Sequence, residues 1–145
     1  RSELIIANIL VELRKILQHK ISLFSGIEFN VDKNKGLNGF CDFIISASTE
    51  QLMLCSPIVT VVEAKNENII GGLGQCIAEM VAAKIFNELE KDESVKRIYG
   101  VVTTGTTWKF LKMDGSDVYI DLDDYSIESP HRIIGILLSM VSQKA

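Results

Sequence analysis

Three observations predict an α/β fold with a mixed central sheet flanked by helices. The first is the unbroken run Ile58-Val59-Thr60-Val61-Val62, whose lack of polar alternation suits a central strand covered on both faces. The second is a pair of segments, 4–17 and 73–90, in which apolar residues recur at helical spacing. The third is a set of short apolar or alternating stretches bounded by Gly, Asn and Asp clusters, which read as further strands. The chain has 145 residues, enough to bury one core, so residues 1–145 are expected to form a single domain.

Taken in order, Leu4, Ile5, Ile6, Ile9, Leu10, Leu13, Ile16 and Leu17 define one face of an amphipathic helix. Ser2 is its expected N-cap and Glu3 a first-turn acid that suits the helix dipole. Gly26 breaks the pattern, and Ile27, Phe29 and Val31 alternate with Glu28 and Asn30 as in a half-buried strand. The polar, glycine-bearing stretch 32–39 then predicts a turn. Phe40 to Ala47 is a second strand, and Pro57 marks entry to the third, Ile58 to Lys65.

After the third strand comes Ile69-Ile70-Gly71-Gly72-Leu73-Gly74, followed by a helix to about Glu90. Its buried stripe is expected to be Leu73, Cys76, Ile77, Met80, Val81 and Ala83, with Gln75 and Glu79 as i,i+4 neighbours. Arg97 to Thr104 is a fourth strand. Trp108 to Met113 and Val118 to Leu122, separated by Asp114-Gly115-Ser116-Asp117, add a β-meander. Ser129-Pro130 starts a last helix that is apolar on nearly every side and so needs cover from the domain or from a second chain.

Composition limits the function classes. Hydrophobic residues make up 47% and charged residues 23%, as in an ordinary globular protein. A net charge of -4 and a pI near 5.2 argue against a protein that coats nucleic acid by bulk electrostatics. A carboxylate-rich metal site remains open, because it is acidic until its cation arrives. Cys41, Cys55 and Cys76 lack C-x-x-C spacing and are odd in number, so buried thiols are expected rather than a zinc site or a disulfide framework. The apolar stretches are shorter than a membrane span and none resembles a signal peptide, which reads as a cytoplasmic chain.

Charge is concentrated where a covered strand should not carry it. Glu63 and Lys65 end the third strand on one face, while Val62 and Ala64 point to the other. They form either a chemical site or a solvated pair at a strand end. Asp42 lies among Phe40, Cys41, Phe43, Ile44 and Ile45, so it is paired, metal-bound or at the sheet's open end, because an isolated buried charge is costly. The Gly71 to Gly74 cluster is only superficially like a dinucleotide-binding loop, since Asn66, Glu67 and Asn68 separate it from the strand.

An aspartate on one strand, Glu63-Ala64-Lys65 ending the next and a helix bearing Gln75 immediately after resemble the PD-(D/E)XK nuclease superfamily. The resemblance spans Ser2 to about Leu111. It implies a restriction-endonuclease-like αβββαβ core carrying an appended meander and a C-terminal helix. The segment Thr104 to Phe110 is similar to the strand-turn-strand that follows the core in type I restriction subunit N-terminal domains.

The resemblance implies a metal-dependent endonuclease acting on DNA, with Asp42, Glu63 and the Ala64 carbonyl holding Mg²⁺ or Mn²⁺. Such a hard cation takes one or two carboxylates and offsets charge on a phosphoryl group. Lys65 would orient the attacking water, the role that neighbouring carboxylates favour over that of a base. Glu3 matches a helix-one glutamate that many members bring near the metal, and Gln75 matches the glutamine of the following helix in several branches. Glu12 is an alternative to Glu3, and Glu67 a further acid in the loop. Phe40-Cys41 replaces the proline of the family name. No helix-turn-helix, zinc module or basic stripe offers target recognition, so the alternative is a catalytically silent nuclease-fold module that binds protein or nucleic acid. The last helix is the expected surface for a homodimer or larger assembly.

Overall fold

The β-branched run forms the middle of the sheet. The computed structural model describes residues 2–32 and 37–143 and places β3 at Ile58–Ala64. Its first five residues are buried, and burial stops at Glu63. Before β3 come α1 (Ser2–Ile16), β1 (Ser22–Asp32) and β2 (Leu37–Ser46). After it come a single 3₁₀ turn (Ile70–Gly72), α2 (Leu73–Leu89), β4 (Arg97–Thr103), β5 (Thr107–Asp114), β6 (Asp117–Ile120), β7 (Tyr125–Ser126) and α3 (Pro130–Val141).

The sheet order is β1-β2-β3-β4-β5-β6, with β7 also pairing with β5. β3 and β4 are parallel and the other pairings are antiparallel. Two parallel neighbours need a long crossover, and α2 provides it. Val61, Ile44 and Val102 pack under Cys76, Met80 and Ala83 of α2. Val62, Ile45 and Val101 pack on the other face with Ile6, Leu10 and Leu13 of α1 and Ile133 and Leu137 of α3. A strand covered by helices on both faces explains the run without polar alternation.

Side-chain clamps fix where β3 and β4 begin. Asn87 of α2 accepts from the Ile58 N–H at 2.8 Å and donates to the Ile58 carbonyl at 2.9 Å. Gln143, just past α3, does the same for Arg97, at 2.9 and 3.1 Å. Gly100 of β4 lets α2 approach closely: an added Cβ would lie 2.6 Å from Met80 Sδ and 2.7 Å from Cys76 Sγ. Gly105, at φ +92°, turns the chain after β4 directly against Ser2. The start of α1 therefore sits at the same end of the sheet as the end of β3.

Several expectations change in detail. Ser2 is already helical rather than a cap. β1 begins at Ser22 and runs through Gly26, so the glycine bends a strand instead of preceding one. Of the expected turn at 32–39, Asp32 belongs to β1 and 37–39 to β2, because the two strands pair that far, while 33–36 lie outside the described residues. The buried side of α2 includes Glu79 and Asn87, while Leu73, Ile77 and Val81 are only partly covered. In α3 only Ile133, Leu137 and Met140 are fully buried, and Ile134, Ile136, Leu138 and Val141 are half-covered. β7 is too short to be read from the sequence. Among the described residues no helix is long and apolar enough to cross a membrane.

Candidate functional site

The charged end of β3 meets β2 from one side and α2 from above. Because Val61 packs beneath α2 and Val62 beneath α1 and α3, strand alternation puts Glu63 on the α2 face. Ala64 packs with the opposite cluster, as expected. Asp42 reaches across from β2, and its Oδ2 accepts the Ala64 N–H at 2.8 Å. The two acids, 21 positions apart in sequence, are thereby held side by side.

The Asp42 and Glu63 carboxyls lie within hydrogen-bonding reach of each other. Burial, then the hydrogen bond to Asp42 and the Asp42 charge, push Glu63 from an ordinary 4.5 up to about 8. Glu79 adds to the rise, and the Lys65 ammonium opposes it. Glu63 Oε2 is shielded from water and meets no donor. A buried carboxyl oxygen that meets no protein donor, beside a second carboxylate, is a place where either a proton or a cation can sit.

Lys65 follows the strand, its backbone N–H donating to the Thr103 carbonyl at 2.9 Å. Its stem packs against Gly72: a Cβ there would lie 2.9 Å from Lys65 Cγ and 2.8 Å from Val102 Cγ1. Gly72 thus serves close packing, bringing the start of α2 down onto the ends of β3 and β4.

Gln75 and Glu3 are placed differently from the central three. Gln75 Nε2 donates to Glu79 Oε1 at 2.8 Å. Glu3 is exposed in the first turn of α1, at the same end of the sheet but on the face opposite α2, and it makes no hydrogen bond or ion pair with the other site residues. Glu12 is also exposed on α1, and Glu67 is exposed in the loop after β3.

Glu79 belongs beside this group, although the sequence reading placed it only as a neighbour of Gln75. It is 4% exposed, and burial raises its pKa. Its Oε2 accepts from Cys41 Sγ at 3.2 Å. The signal was present in the helical spacing: Cys76, Glu79, Met80 and Ala83 follow i, i+3, i+4, i+7, which puts a carboxylate within a buried stripe. Cys41 and Cys76 are buried free thiols, as expected, and Cys55 is half-covered.

Hard oxygen donors, two carboxylates and an adjacent carbonyl fit a cation such as Mg²⁺, which keeps much of its water. Among the described residues no three His, Cys, Asp or Glu side chains form a ready-made metal cluster. A cleft of about 550 Å³ at the opposite end of the sheet, where Lys84, Glu88, Asp92 and Lys96 meet, has mixed charge and is separate from these acids. Compared with family models, curated proteins and solved structures, the chain gave no match.

Proposed function

We propose that this chain is a metal-dependent nuclease with a restriction-endonuclease-like core, acting in the cytoplasm on phosphodiester bonds of DNA. The observation that carries the reading is the Asp42–Glu63 pair, with a buried, donorless Glu63 oxygen and Lys65 alongside. The element order α1-β1-β2-β3-α2-β4, with β5, β6, β7 and α3 appended, supports the core assignment. Asp42, Glu63 and the Ala64 carbonyl are the groups that would hold Mg²⁺ or Mn²⁺. A divalent cation supplies charge neutralisation at the phosphate and makes a bound water more acidic. The Ala64 N–H holds Asp42 in place, and Lys65 orients the attacking water and offsets negative charge that develops on the phosphate.

Calorimetry with Mn²⁺ and Mg²⁺ tests this, on wild type, Asp42→Ala and Glu63→Ala, followed by cleavage assays on single- and double-stranded DNA. Binding that both substitutions abolish, with metal-dependent cleavage, is the expected result. Wild-type protein that binds neither metal and cleaves no DNA would overturn the reading.

One observation favours a second reading, a nuclease fold retained as a binding module. Val118, Tyr119 and Ile120 of the edge strand β6, and Leu122 just after it, are exposed. In that reading the partner is a protein or nucleic acid, or a second copy docked through this edge or the half-covered side of α3. Light scattering of the purified chain checks for self-assembly.

A further inference from the structure

Glu79 is a buried carboxylate that the proposed chemistry leaves unused. Its two oxygens are both taken, Oε1 by Gln75 Nε2 at 2.8 Å and Oε2 by Cys41 Sγ at 3.2 Å. The Phe40 backbone N–H lies near enough to favour its charged form. Glu63 differs in having an oxygen that meets no donor. The contrast separates their roles: Glu63 has a buried oxygen that meets no protein donor, and Glu79 has both oxygens engaged, one by Gln75 a turn earlier on α2 and one by Cys41 of β2.

The residues that Glu79 grips stand immediately before Asp42. Residues two apart on a regular strand share a face. Cys41 nonetheless reaches α2, while Phe43 packs against the opposite cluster, which holds Leu10 of α1. β2 therefore rolls over at Asp42. Opposite it in β1 the register runs Ser25↔Phe43 and Ile27↔Cys41, which leaves Gly26 facing Asp42 at φ +59°. A left-handed glycine bends the partner strand to follow the roll. The Glu79–Cys41 bond anchors the roll to α2.

We infer that Glu79 is a positioning residue for the Asp42–Glu63 metal pair, fixing the Asp42 backbone through Cys41 and holding the Gln75 side chain along α2, and is itself no ligand. The inference rests on the metal-site reading above. Groups that hold a ligand in place typically cost 10–100-fold in metal affinity when removed, about the effect expected of Glu79→Ala.

The test is Mn²⁺ calorimetry with melting curves on wild type, Asp42→Ala, Glu79→Ala, Glu79→Gln, Cys41→Ala and Cys41→Ser. Glu79→Ala should bind Mn²⁺ about 10–100-fold more weakly. Glu79→Gln keeps the shape and covers the case in which the alanine variant does not fold. It should lose roughly tenfold or less, because one acceptor remains. Cys41→Ser, which retains a donor to Oε2, should stay within about twofold of wild type while Cys41→Ala falls several-fold. That rescue is a readout that general destabilisation would not produce.

Glu79 variants that bind like wild type, while Asp42→Ala binds nothing, overturn the inference and leave the metal site standing. Loss of all binding in Glu79→Gln, as in Asp42→Ala, also overturns it, because Glu79 is then a ligand. Unchanged binding in Asp42→Ala overturns the metal-site reading itself.

Discussion

The Ala64 backbone N–H donates to the Asp42 carboxylate at 2.8 Å, across the end of the β2–β3 pair. The register of that pair ends at Phe43↔Val62, so this side-chain bond continues the pairing beyond the backbone ladder. Asp42 therefore has a structural duty that can be separated from the chemical one proposed for it. Asp42→Asn keeps an acceptor for the Ala64 N–H, whereas Asp42→Ala leaves that donor without it. Metal-free Asp42→Ala is expected to be less stable than Asp42→Asn by about 1–3 kcal/mol. Neither variant should bind Mn²⁺. Denaturant titration of the two metal-free variants checks the difference, and equal stabilities would remove the structural duty.

The Glu63 environment predicts an inverted pH dependence. Its folded pKa, about 8, lies above the ordinary 4.5, so the native state holds a proton that the unfolded chain has released. Stability from this group is complete below about pH 4.5 and is lost as pH rises towards 8. Melting temperatures of the metal-free protein should fall across that window. Glu63→Gln should flatten the fall and melt a few degrees higher than wild type at the alkaline end. Added Mn²⁺ should raise the melting temperature more at the alkaline end than at the acid end, because the cation competes with the proton. A wild-type curve that rises through the window would contradict the assignment.

Gly26 offers a change that touches no side chain. Its φ of +59° is left-handed, and a Cβ there would meet nothing within 4 Å. Gly26→Ala should therefore cost about 1–2 kcal/mol from backbone strain alone. Gly26→Asn should cost less, since Asn tolerates this conformation better. Chemical denaturation measures both. If Asp42 depends on the bend in β1, Mn²⁺ affinity should follow the same order, glycine above asparagine above alanine.

Most of the architecture was legible because burial on two faces leaves a plain mark on sequence. The β3 run, the spacing of α1 and the apolar content of α3 follow from which sides meet helices. Asp42 and Glu63 were legible for the opposite reason, as carboxylates where the pattern called for apolar residues. Glu79 carried the same mark on α2 but was masked by its i,i+4 relation to Gln75, which reads equally well as an exposed helix pair. The roll at Asp42 was hidden because strand alternation assumes a regular pleat, and the departure depends on contacts from α1 and α2 together. The clamps made by Asn87 and Gln143 pair residues 29 and 46 positions apart, a range at which a single sequence carries no local signal.

Gly72 couples the packing of α2 to the position of Lys65. A methyl group at position 72 would meet Lys65 Cγ at 2.9 Å and Val102 Cγ1 at 2.8 Å, and φ there is ordinary, so crowding is the whole effect. The Lys65 stem is the softer neighbour, because Val102 is fully buried in the sheet. Gly72→Ala should then displace the ammonium rather than unfold the domain, costing about 1–3 kcal/mol in stability. The cleavage rate should fall at least about tenfold, since misplacement by an ångström is costly for an orienting group. Mn²⁺ affinity should stay near wild type, because the atoms nearest the added methyl belong to Lys65 and Val102 rather than to Asp42 or Glu63. Rates and calorimetry on the same preparation separate the cases: a rate loss with intact metal binding assigns Lys65 to the chemical step, and an unchanged rate removes it from that step.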